Sequence, residues 1–172
     1  MHANFVRLAF CILVPNLPMK RAVFPGSFDP LTKGHENILR RALPLFDEVI
    51  IGVGVNSSKQ SMFSLEQRLA WLEAVFVDVP QVRAEAYEGL TADFCDRVGA
   101  TWLIRGVRNG GDFEYERTIA QMTRQLRPSI ETVILFTDPE HAPIHSTVVR
   151  EILRNNGDVS AFVPEAIAKS IG

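Results

Sequence analysis

Short apolar runs alternate with longer periodic stretches from residue 20 onward. A short apolar run predicts a buried strand, whereas apolar residues recurring every three or four positions predict a helix. On this basis we expect strands at 22–24, 48–55, 81–87, 101–104 and 132–136. We expect helices at 35–43, 65–76, 90–98, 112–126, 146–153 and 164–171. Strands that alternate with helices predict an α/β, doubly wound fold, with a mainly five-stranded parallel sheet and helices on both of its faces.

Several helix ends carry recognisable residues. Ser64, with Gln67 three residues later, has the pattern of a capping box. Pro44 is expected to end or kink the first helix, and Gly99 to stop the third. Within the helix at 112–126, one face carries the apolar residues Tyr115, Ile119, Met122 and Leu126.

Composition is that of an ordinary globular domain, with 47% hydrophobic and 22% charged residues in a chain of 172. The net charge of −2 provides no basic surface, so neither a nucleic acid nor an anionic membrane is an expected partner. Cys11 and Cys95 have neither disulfide-framework nor metal-ligand spacing. We therefore expect reduced thiols and a cytoplasmic location.

Residues 1–18 are expected to lie outside the fold, leaving a single domain at 19–172. The apolar run 8–14 is much shorter than the roughly 20 residues needed to span a bilayer. A secretory signal is the alternative, but 15–18 offers no small-residue cleavage site. Met19 stands directly before the first strand.

The segment 24–35 reads FPGSFDPLTKGH and joins the first strand to the first helix. A helix N-terminus presents unpaired N–H groups and a positive dipole, so anions bind there readily. Ser27 adds a hydroxyl, Gly34 permits close approach of a ligand, and His35 opens the helix at a position expected to be exposed. A simple βα loop with an incidental histidine is the alternative interpretation.

Polar residues follow each predicted strand, and in a parallel sheet these positions meet at one edge, where ligands bind. After the first strand come Ser27 and His35, and after the others come Lys59, 89–91, 105–108 and 141–147. Any of these alone is more often a solvated surface residue. Together they predict a site for a phosphate-bearing ligand, since arginine binds phosphate oxygens bidentately and lysine acts as a mobile charge.

Motifs for several other activities are missing from the sequence. It contains no P-loop, no complete dinucleotide-binding fingerprint, no nucleophile elbow of the G-x-S-x-G type and no cluster with zinc-ligand spacing.

The stretch G-S-F-D-P-x-T-x-G-H resembles the signature of nucleotidyltransferases that hold ATP phosphates with an (H/T)xGH motif. The motif I-R-G-x-R at 104–108, followed by D-F-E-Y-E at 112–116, is similar to the phosphopantetheine adenylyltransferase family in particular. This resemblance runs from about Lys20 to the C-terminus. It implies a Rossmann-like nucleotidyltransferase fold and the reaction of ATP with 4′-phosphopantetheine to give dephospho-coenzyme A and pyrophosphate.

The resemblance also implies roles for individual residues, with His35 as the catalytic one. It implies that 4′-phosphopantetheine is bound by Ser27, Lys59, Thr91 and Arg105. It implies that ATP is bound by Ser27, Phe28, His35, Gly106, Val107, Arg108, Glu116, His141, Ala142, Pro143, Ile144, His145, Ser146 and Thr147.

Two residues and one short segment depart from the family pattern. Ser27 replaces a common threonine, and His145 stands where the family usually has serine, which puts that contact with the triphosphate in question. Asn109-Gly110-Gly111 replaces a more alanine-rich linker and is expected to loosen the loop after Arg108.

The implied reaction needs no general base, because the attacking phosphate oxygen is already ionised at neutral pH. Positioning two polyanions in line and stabilising the departing pyrophosphate would suffice, without a covalent intermediate. Mg²⁺ would be held by substrate phosphates rather than by the protein. The family resemblance further implies a homohexamer inhibited by coenzyme A.

Two other functions stay open from the sequence. One is a related transferase whose acceptor is a mononucleotide or a phospho-alcohol. The other is an adenine-nucleotide sensor on the same fold, which would be expected to show a degraded Thr-x-Gly-His motif, whereas here the motif is intact.

Overall fold

The computed structural model describes residues 19–55 and 60–171. Five strands form one sheet, in the order β3-β2-β1-β4-β5, and every adjacent pair is parallel. The strands are β1 (Arg21–Gly26), β2 (Glu48–Gly54), β3 (Val82–Tyr87), β4 (Trp102–Val107) and β5 (Glu131–Phe136). The helices are α1 (Lys33–Ala42), α2 (Leu65–Val75), α3 (Thr91–Val98), α4 (Gly110–Leu126), α5 (Ser146–Arg154) and α6 (Glu165–Ile171). The predicted fold class is confirmed.

Apolar residues on the two faces of the sheet form separate cores. Alternate strand residues point to opposite faces, so Phe24 packs in a core with α1, α2, α5 and α6, whereas its neighbour Val23 packs with α3. Cys95 of α3 is buried in the second core, and burial raises the pKa of its thiol to about 12. Among the described helices, none combines the length and the apolar character needed to cross a bilayer.

Strand β4 extends three residues beyond its predicted end at 104. Arg105, Gly106 and Val107 pair with residues 134–136 of β5 and are therefore part of the strand, not of the loop that follows it. The prediction was wrong because polarity ended the apolar run at Arg105, whereas the pairing of strands uses backbone groups. As a result Arg105 is held on a rigid element.

The start of α4 also differs from its prediction. Asn109 is the N-cap residue, and its Oδ1 accepts a hydrogen bond of 2.9 Å from the backbone N–H of Asp112. Gly110 and Gly111 lie in the first turn of α4, so the helix begins two residues before its predicted start at 112. Asparagine is among the most favourable N-cap residues, and its cap stabilises the glycine-rich turn.

Other predicted helix ends are confirmed. The hydroxyl of Ser64 accepts from the backbone N–H of Gln67 at 3.2 Å, while the Gln67 side chain accepts from the backbone N–H of Ser64 at 3.1 Å. Pro44 lies in a 3-10 turn at Leu43–Leu45 that follows α1. Gly99 ends α3 with a positive φ of 67°, the left-handed conformation that favours glycine.

The strand order reverses at β1, which lies between β2 and β4. In open α/β sheets, ligands ordinarily bind in the crevice outside the carboxyl ends of the two adjacent strands at which the strand order reverses. Here that crevice lies between Gly26 of β1 and Val107 of β4. Gly106 allows α1 to approach it closely, because a Cβ there would lie 2.9 Å from Cγ1 of Ile38.

Candidate active site

A cavity of about 300 Å³ opens at this reversal point. Its walls come from the end of β1, the first turn of α1, the end of β4, α4 and the segment after β5. Eight residues predicted for the site line it: Ser27, His35, Arg105, Gly106, Arg108, Glu116, His141 and Ile144. The topology therefore brings together residues at the ends of β1, β4 and β5, which are distant from one another in the sequence.

The turn between β1 and α1 is fixed by contacts from α2 and the loop before it. Phe28 has a φ of +46°, an uncommon conformation for a residue other than glycine, and its ring is buried. The Asp29 carboxylate accepts two hydrogen bonds of 2.9 Å, from the backbone N–H groups of Met62 and Phe63. Arg68 of α2 donates to the carbonyl of Ser27 at 2.7 Å. These contacts hold the strained turn in one conformation.

Helix α5 contacts the other side of the same turn. Arg150 donates to the carbonyl of Asp29 at 2.5 Å, and the Ser146 hydroxyl donates to the carbonyl of Pro30 at 3.0 Å. Ser146 was predicted to bind ATP, but in this structure its hydroxyl binds the turn. Its side chain therefore supports the shape of the cavity.

The tautomer of His35 is set by Thr32. The backbone N–H of Thr32 lies 3.1 Å from Nδ1 of His35, and the Thr32 hydroxyl lies 3.0 Å from the same atom. A backbone N–H can only donate, so Nδ1 is an acceptor and the ring proton is on Nε2. The imidazole thus offers an Nε2–H donor.

His35 is also neutral in the ligand-free protein. Burial, followed by the positive charges of Arg108 and Arg105, lowers the pKa of His35 from 6.5 to about 4. Its ring packs edge-on to that of Phe28, with centroids 5.4 Å apart, and lies 6.5 Å from that of Phe24. The sequence-based expectation of an exposed side chain was therefore wrong, because the preceding turn and two aromatic rings leave the His35 side chain half-buried.

Arg105 and Glu116 form a bidentate ion pair across the cavity wall. Nε and Nη2 of Arg105 donate to the two Glu116 carboxylate oxygens at 2.6 and 2.5 Å. Nη1 donates to the carbonyl of Pro25 at 3.2 Å. Glu116 is only 9% exposed and is the buried residue of α4. The pair fixes the plane of the Arg105 guanidinium between the two strands that flank the crevice.

Arg108 lies beyond the end of β4 and has two partners. Its Nε donates to Asp112 at 2.7 Å, and its Nη1 lies 2.5 Å from Nδ1 of His145. The hydrogen bond from Arg108 lowers the pKa of the Asp112 carboxyl, so this partner is ionised at neutral pH. The positive charge of Arg108 also contributes to the lowered pKa of His35.

A second cavity, of about 240 Å³, adjoins the first and shares Pro25, Arg105 and Glu116 with it. Its other walls are mostly apolar and include Leu103 and Ile119. Thr91 lines this second cavity, and its hydroxyl lies 2.8 Å from that of Tyr87. The Arg105–Glu116 pair therefore separates a polar cavity from a more apolar one.

Several predicted site residues do not line the first cavity. Phe28 and Val107 are buried in the wall behind it. Of the loop at 141–147, the cavity lining includes His141 and Ile144 but not Ala142, Pro143, His145, Ser146 and Thr147. Lys59 lies outside the described residues, so its predicted role stays a prediction.

Seven lining residues were absent from the predicted set of site residues, and two of them, Thr32 and Thr137, carry polar side chains. Each carried a signal that could have identified it. Thr32 is the first residue of the Thr-x-Gly-His motif and orients His35, and Thr137 directly follows β5.

The class of protein follows from comparison with known families. Residues 23–152 match the cytidylyltransferase-like family model, which covers more than half of the chain. A Vibrio parahaemolyticus protein provisionally named nicotinate-nucleotide adenylyltransferase superposes with a TM-score of 0.67, over 89% of this chain and 91% of that one. The two are 16% identical in sequence, so this likeness concerns the fold. The fold and the matched family together define a nucleotidyltransferase.

Curated relatives give a narrower assignment. The phosphopantetheine adenylyltransferase of Flavobacterium psychrophilum is 50% identical over 149 residues, which are 87% of this chain and 98% of that protein. The enzyme of the same name from Phocaeicola vulgatus is 48% identical over 87% of this chain and 98% of its own length. The chain belongs to the phosphopantetheine adenylyltransferase family, as the sequence motifs predicted.

Proposed function

We propose that this enzyme transfers the adenylyl group of ATP to 4′-phosphopantetheine, giving dephospho-coenzyme A and pyrophosphate. The observation that carries the proposal is the 50% identity with a phosphopantetheine adenylyltransferase over almost its entire length. The two adjoining cavities support it, since the reaction requires a nucleoside triphosphate to bind next to an acceptor with a phosphate and a long uncharged arm. Residues 19–172 form the catalytic domain in this proposal.

The acceptor phosphate is placed at Arg105, between the cavities, and the pantetheine arm extends along the apolar walls toward Thr91. Arg105 has five N–H donors, of which three bind Glu116 and Pro25. The remaining donors suit a phosphate oxygen, and the ion pair fixes their direction. Ser27 and Lys59 complete the acceptor site by family resemblance.

ATP is placed in the first cavity, with its phosphates between the N-terminus of α1 and Arg108. His35, Gly106, Glu116 and the segment 141–147 surround the nucleotide by family resemblance. A phosphate oxygen of the acceptor attacks the α-phosphorus, and the bond from that phosphorus to the bridging β-phosphate oxygen breaks. Both electrons of that bond leave with pyrophosphate, and no covalent enzyme intermediate forms.

His35 stabilises the charge that grows on the transferring phosphoryl group as this bond breaks. Its Nε2–H is the donor, and its Nδ1 is held by Thr32. A donor aimed at developing charge lowers the barrier more than it strengthens ATP binding. No proton has to be removed from the acceptor, so a neutral imidazole that donates is sufficient.

Mg²⁺ is the cofactor we propose, held mainly by phosphate oxygens of the substrates. Across residues 19–55 and 60–171, no group of three His, Cys, Asp or Glu side chains has the geometry of a metal site. The cavity carboxylate, that of Glu116, is bound to Arg105. In this proposal the metal arrives with ATP and neutralises charge on its phosphates.

We further propose a cytoplasmic homohexamer inhibited by coenzyme A, as the family resemblance implies. Coenzyme A retains the pantetheine arm of the acceptor, so the second cavity suits part of it. Exposed apolar residues on α4 support self-association, with Tyr115, Met122 and Leu126 being 68%, 61% and 55% exposed.

The test is pyrophosphate release by the purified enzyme with ATP, Mg²⁺ and a panel of acceptors. We expect turnover with 4′-phosphopantetheine and little with nicotinate mononucleotide or simple phospho-alcohols. Turnover with one of the other acceptors alone would identify a different transferase. ATP binding without turnover on any acceptor would instead identify a nucleotide sensor.

A further inference from the structure

His145 is one of the residues at which this sequence departs from the family pattern, and the structure shows what it contacts. It precedes α5 as its N-cap residue, and its side chain is not part of the cavity lining. Its Nδ1 lies 2.5 Å from Nη1 of Arg108, a residue that does line the cavity. His145 is therefore connected to the cavity through the side chain of Arg108.

The hydrogen bond between these residues has one possible direction. A guanidinium carries five donors, no acceptor and a permanent charge. Nη1 of Arg108 therefore donates, and Nδ1 of His145 must be the unprotonated nitrogen of a neutral ring. The contact is a charge-assisted hydrogen bond, which is stronger than one between neutral groups.

Arg108 is thus held from two sides. Asp112 on α4 accepts from its Nε at 2.7 Å, and His145 before α5 accepts from its Nη1. Within the described part of the chain, its Nη2 has no recorded hydrogen-bond partner. The two anchors come from separate elements and together fix the plane of the guanidinium, as one anchor would not.

We propose that His145 is a positioning residue that holds the Arg108 guanidinium toward the ATP phosphates and does not itself contact ATP. This inference rests on one part of the proposed function, the binding of ATP with its phosphates at Arg108, and not on the identity of the acceptor. Serine is the usual residue at this position in the family. Its side chain ends at Oγ, the position that Cγ of the imidazole ring takes in histidine, so it reaches less far toward the guanidinium. The second anchor of Arg108 is in that sense particular to this chain.

The test is a double-mutant cycle on ATP affinity, measured at equilibrium by titration calorimetry. His145→Leu removes the acceptor but fills similar space, and we expect ATP to bind about tenfold more weakly. His145→Asn restores a short-armed acceptor, and we expect it to recover most of that loss. In the Arg108→Ala background, His145→Leu should have almost no further effect, because the group it positions is gone.

Val148→Ala, at an exposed position in the first turn of α5, is the matched control and should bind ATP normally. Thermal melts of every variant separate loss of folding from loss of affinity. Should His145→Leu not fold, His145→Ser replaces it in the cycle, with the same expected loss of affinity.

Additive losses in the cycle would overturn the inference, as would an Asn variant no better than the Leu variant, or a wild-type enzyme that fails to bind ATP. Pyrophosphate release by the wild-type enzyme tests the proposed function separately. Coupling in the cycle without turnover on any acceptor would refute that function and leave the inference standing. Turnover with 4′-phosphopantetheine but additive variants would refute the inference alone.

Discussion

The protonation state of His35 follows from its immediate neighbours. The backbone of Thr32 sets the tautomer, and burial with two nearby arginines keeps the ring neutral. The sequence could predict that His35 lies in the first turn of the helix, since a short apolar run, a turn segment and a helical pattern follow one another there. It could not predict the enclosure by Phe24 and Phe28, which depends on the left-handed conformation of Phe28.

Replacing His35 should separate transition-state stabilisation from substrate binding. We expect His35→Ala to lower kcat by about 10²–10³ and to weaken ATP binding far less. We expect His35→Gln, which can place an amide N–H near the position of Nε2, to retain more of the rate. Single-turnover rates and equilibrium ATP affinity are the measurements.

The Ala variant should also be less stable, by about 1–3 kcal/mol, because the buried Thr32 N–H loses its acceptor. Thermal melts check this. An Ala variant that is destabilised yet turns over at nearly the wild-type rate would assign His35 a packing role only.

The lowered pKa of His35 predicts a pH dependence of stability. Between pH 6.5 and 4 the unfolded chain binds a proton at this residue that the folded protein does not, so stability rises with pH over this range. The contribution is complete above pH 6.5 and is lost as the pH falls toward 4. It amounts to about 2 kcal/mol between neutral pH and about pH 5.

The glutamine side chain of the His35→Gln variant does not titrate in this range, so the variant should lack the contribution of His35 to the pH dependence of stability. Urea unfolding of the ligand-free wild-type and Gln proteins at several pH values measures the difference. Parallel pH profiles for the two proteins would mean that the pKa of His35 is not lowered in the folded state.

Substitution of Arg105 should impair the use of 4′-phosphopantetheine more than the binding of ATP. Its bidentate pair with Glu116 means that Arg105→Ala would leave a buried carboxylate unpaired, and such changes cost about 3–5 kcal/mol of stability. Arg105→Lys keeps the charge but loses the planar fork, so we expect a raised KM for 4′-phosphopantetheine with little change in ATP affinity. Lys59→Ala should act in the same direction.

Steady-state kinetics with each substrate varied measure this split. Arg117→Ala is the matched control, because Arg117 is an exposed arginine on the same helix as Glu116. Equal losses of ATP affinity and acceptor use would remove Arg105 from the acceptor site.

Whole elements were predicted more reliably than their ends. Buried strands such as β2 show as apolar runs, and the alternation with helices was enough to predict the parallel sheet. The last three residues of β4 and the first turn of α4 were missed, since polar or glycine residues occupy them. Pairing with β5 and the cap from Asn109 override the local sequence there.

The site was predictable as a set of positions but not as a set of contacts. Strand ends meet at one edge in any parallel sheet, which is why Arg105, Arg108 and His35 were expected together. The Arg105–Glu116 pair joins a strand to the second turn of the following helix, and nothing local in the sequence indicates that geometry. Residues 142–143 and 145–147, which were predicted to contact ATP, lie outside the cavity lining, and nothing local in the sequence indicates this either.

The start of α4 should depend on its cap. We expect Asn109→Ala to lower the free energy of unfolding by about 1 kcal/mol, because the Asp112 N–H loses its acceptor ahead of two glycines. Asn109→Asp should be close to neutral, since aspartate caps equally well. Urea denaturation compares the three proteins, and equal midpoints with equal slopes would show that the cap does not stabilise the helix.

At the scale of the whole molecule, the outer face of α4 presents several apolar side chains to the surroundings. This helix of 17 residues has one buried residue, Glu116, and it packs beside the edge strand β5. Tyr115, Met122 and Leu126 recur at helical spacing on its exposed side. Leu126 also lines the second cavity, so this surface borders the proposed acceptor site.

Charge placed on this face should disrupt the proposed hexamer. A self-associating surface loses affinity when a buried apolar contact is replaced by an unpaired charge. We expect Met122→Glu combined with Leu126→Glu to shift the particle mass from that of a hexamer toward smaller species, as measured by light scattering or sedimentation velocity. Val77→Glu, at an exposed apolar residue far from α4 in the sequence, is the control and should leave the mass unchanged. The melting temperature should fall in the α4 variant, since assembly stabilises the folded state by mass action.

A wild-type protein that is monomeric at all concentrations would refute the proposed assembly. A hexamer that persists in the double variant would instead exclude this face of α4 as its interface.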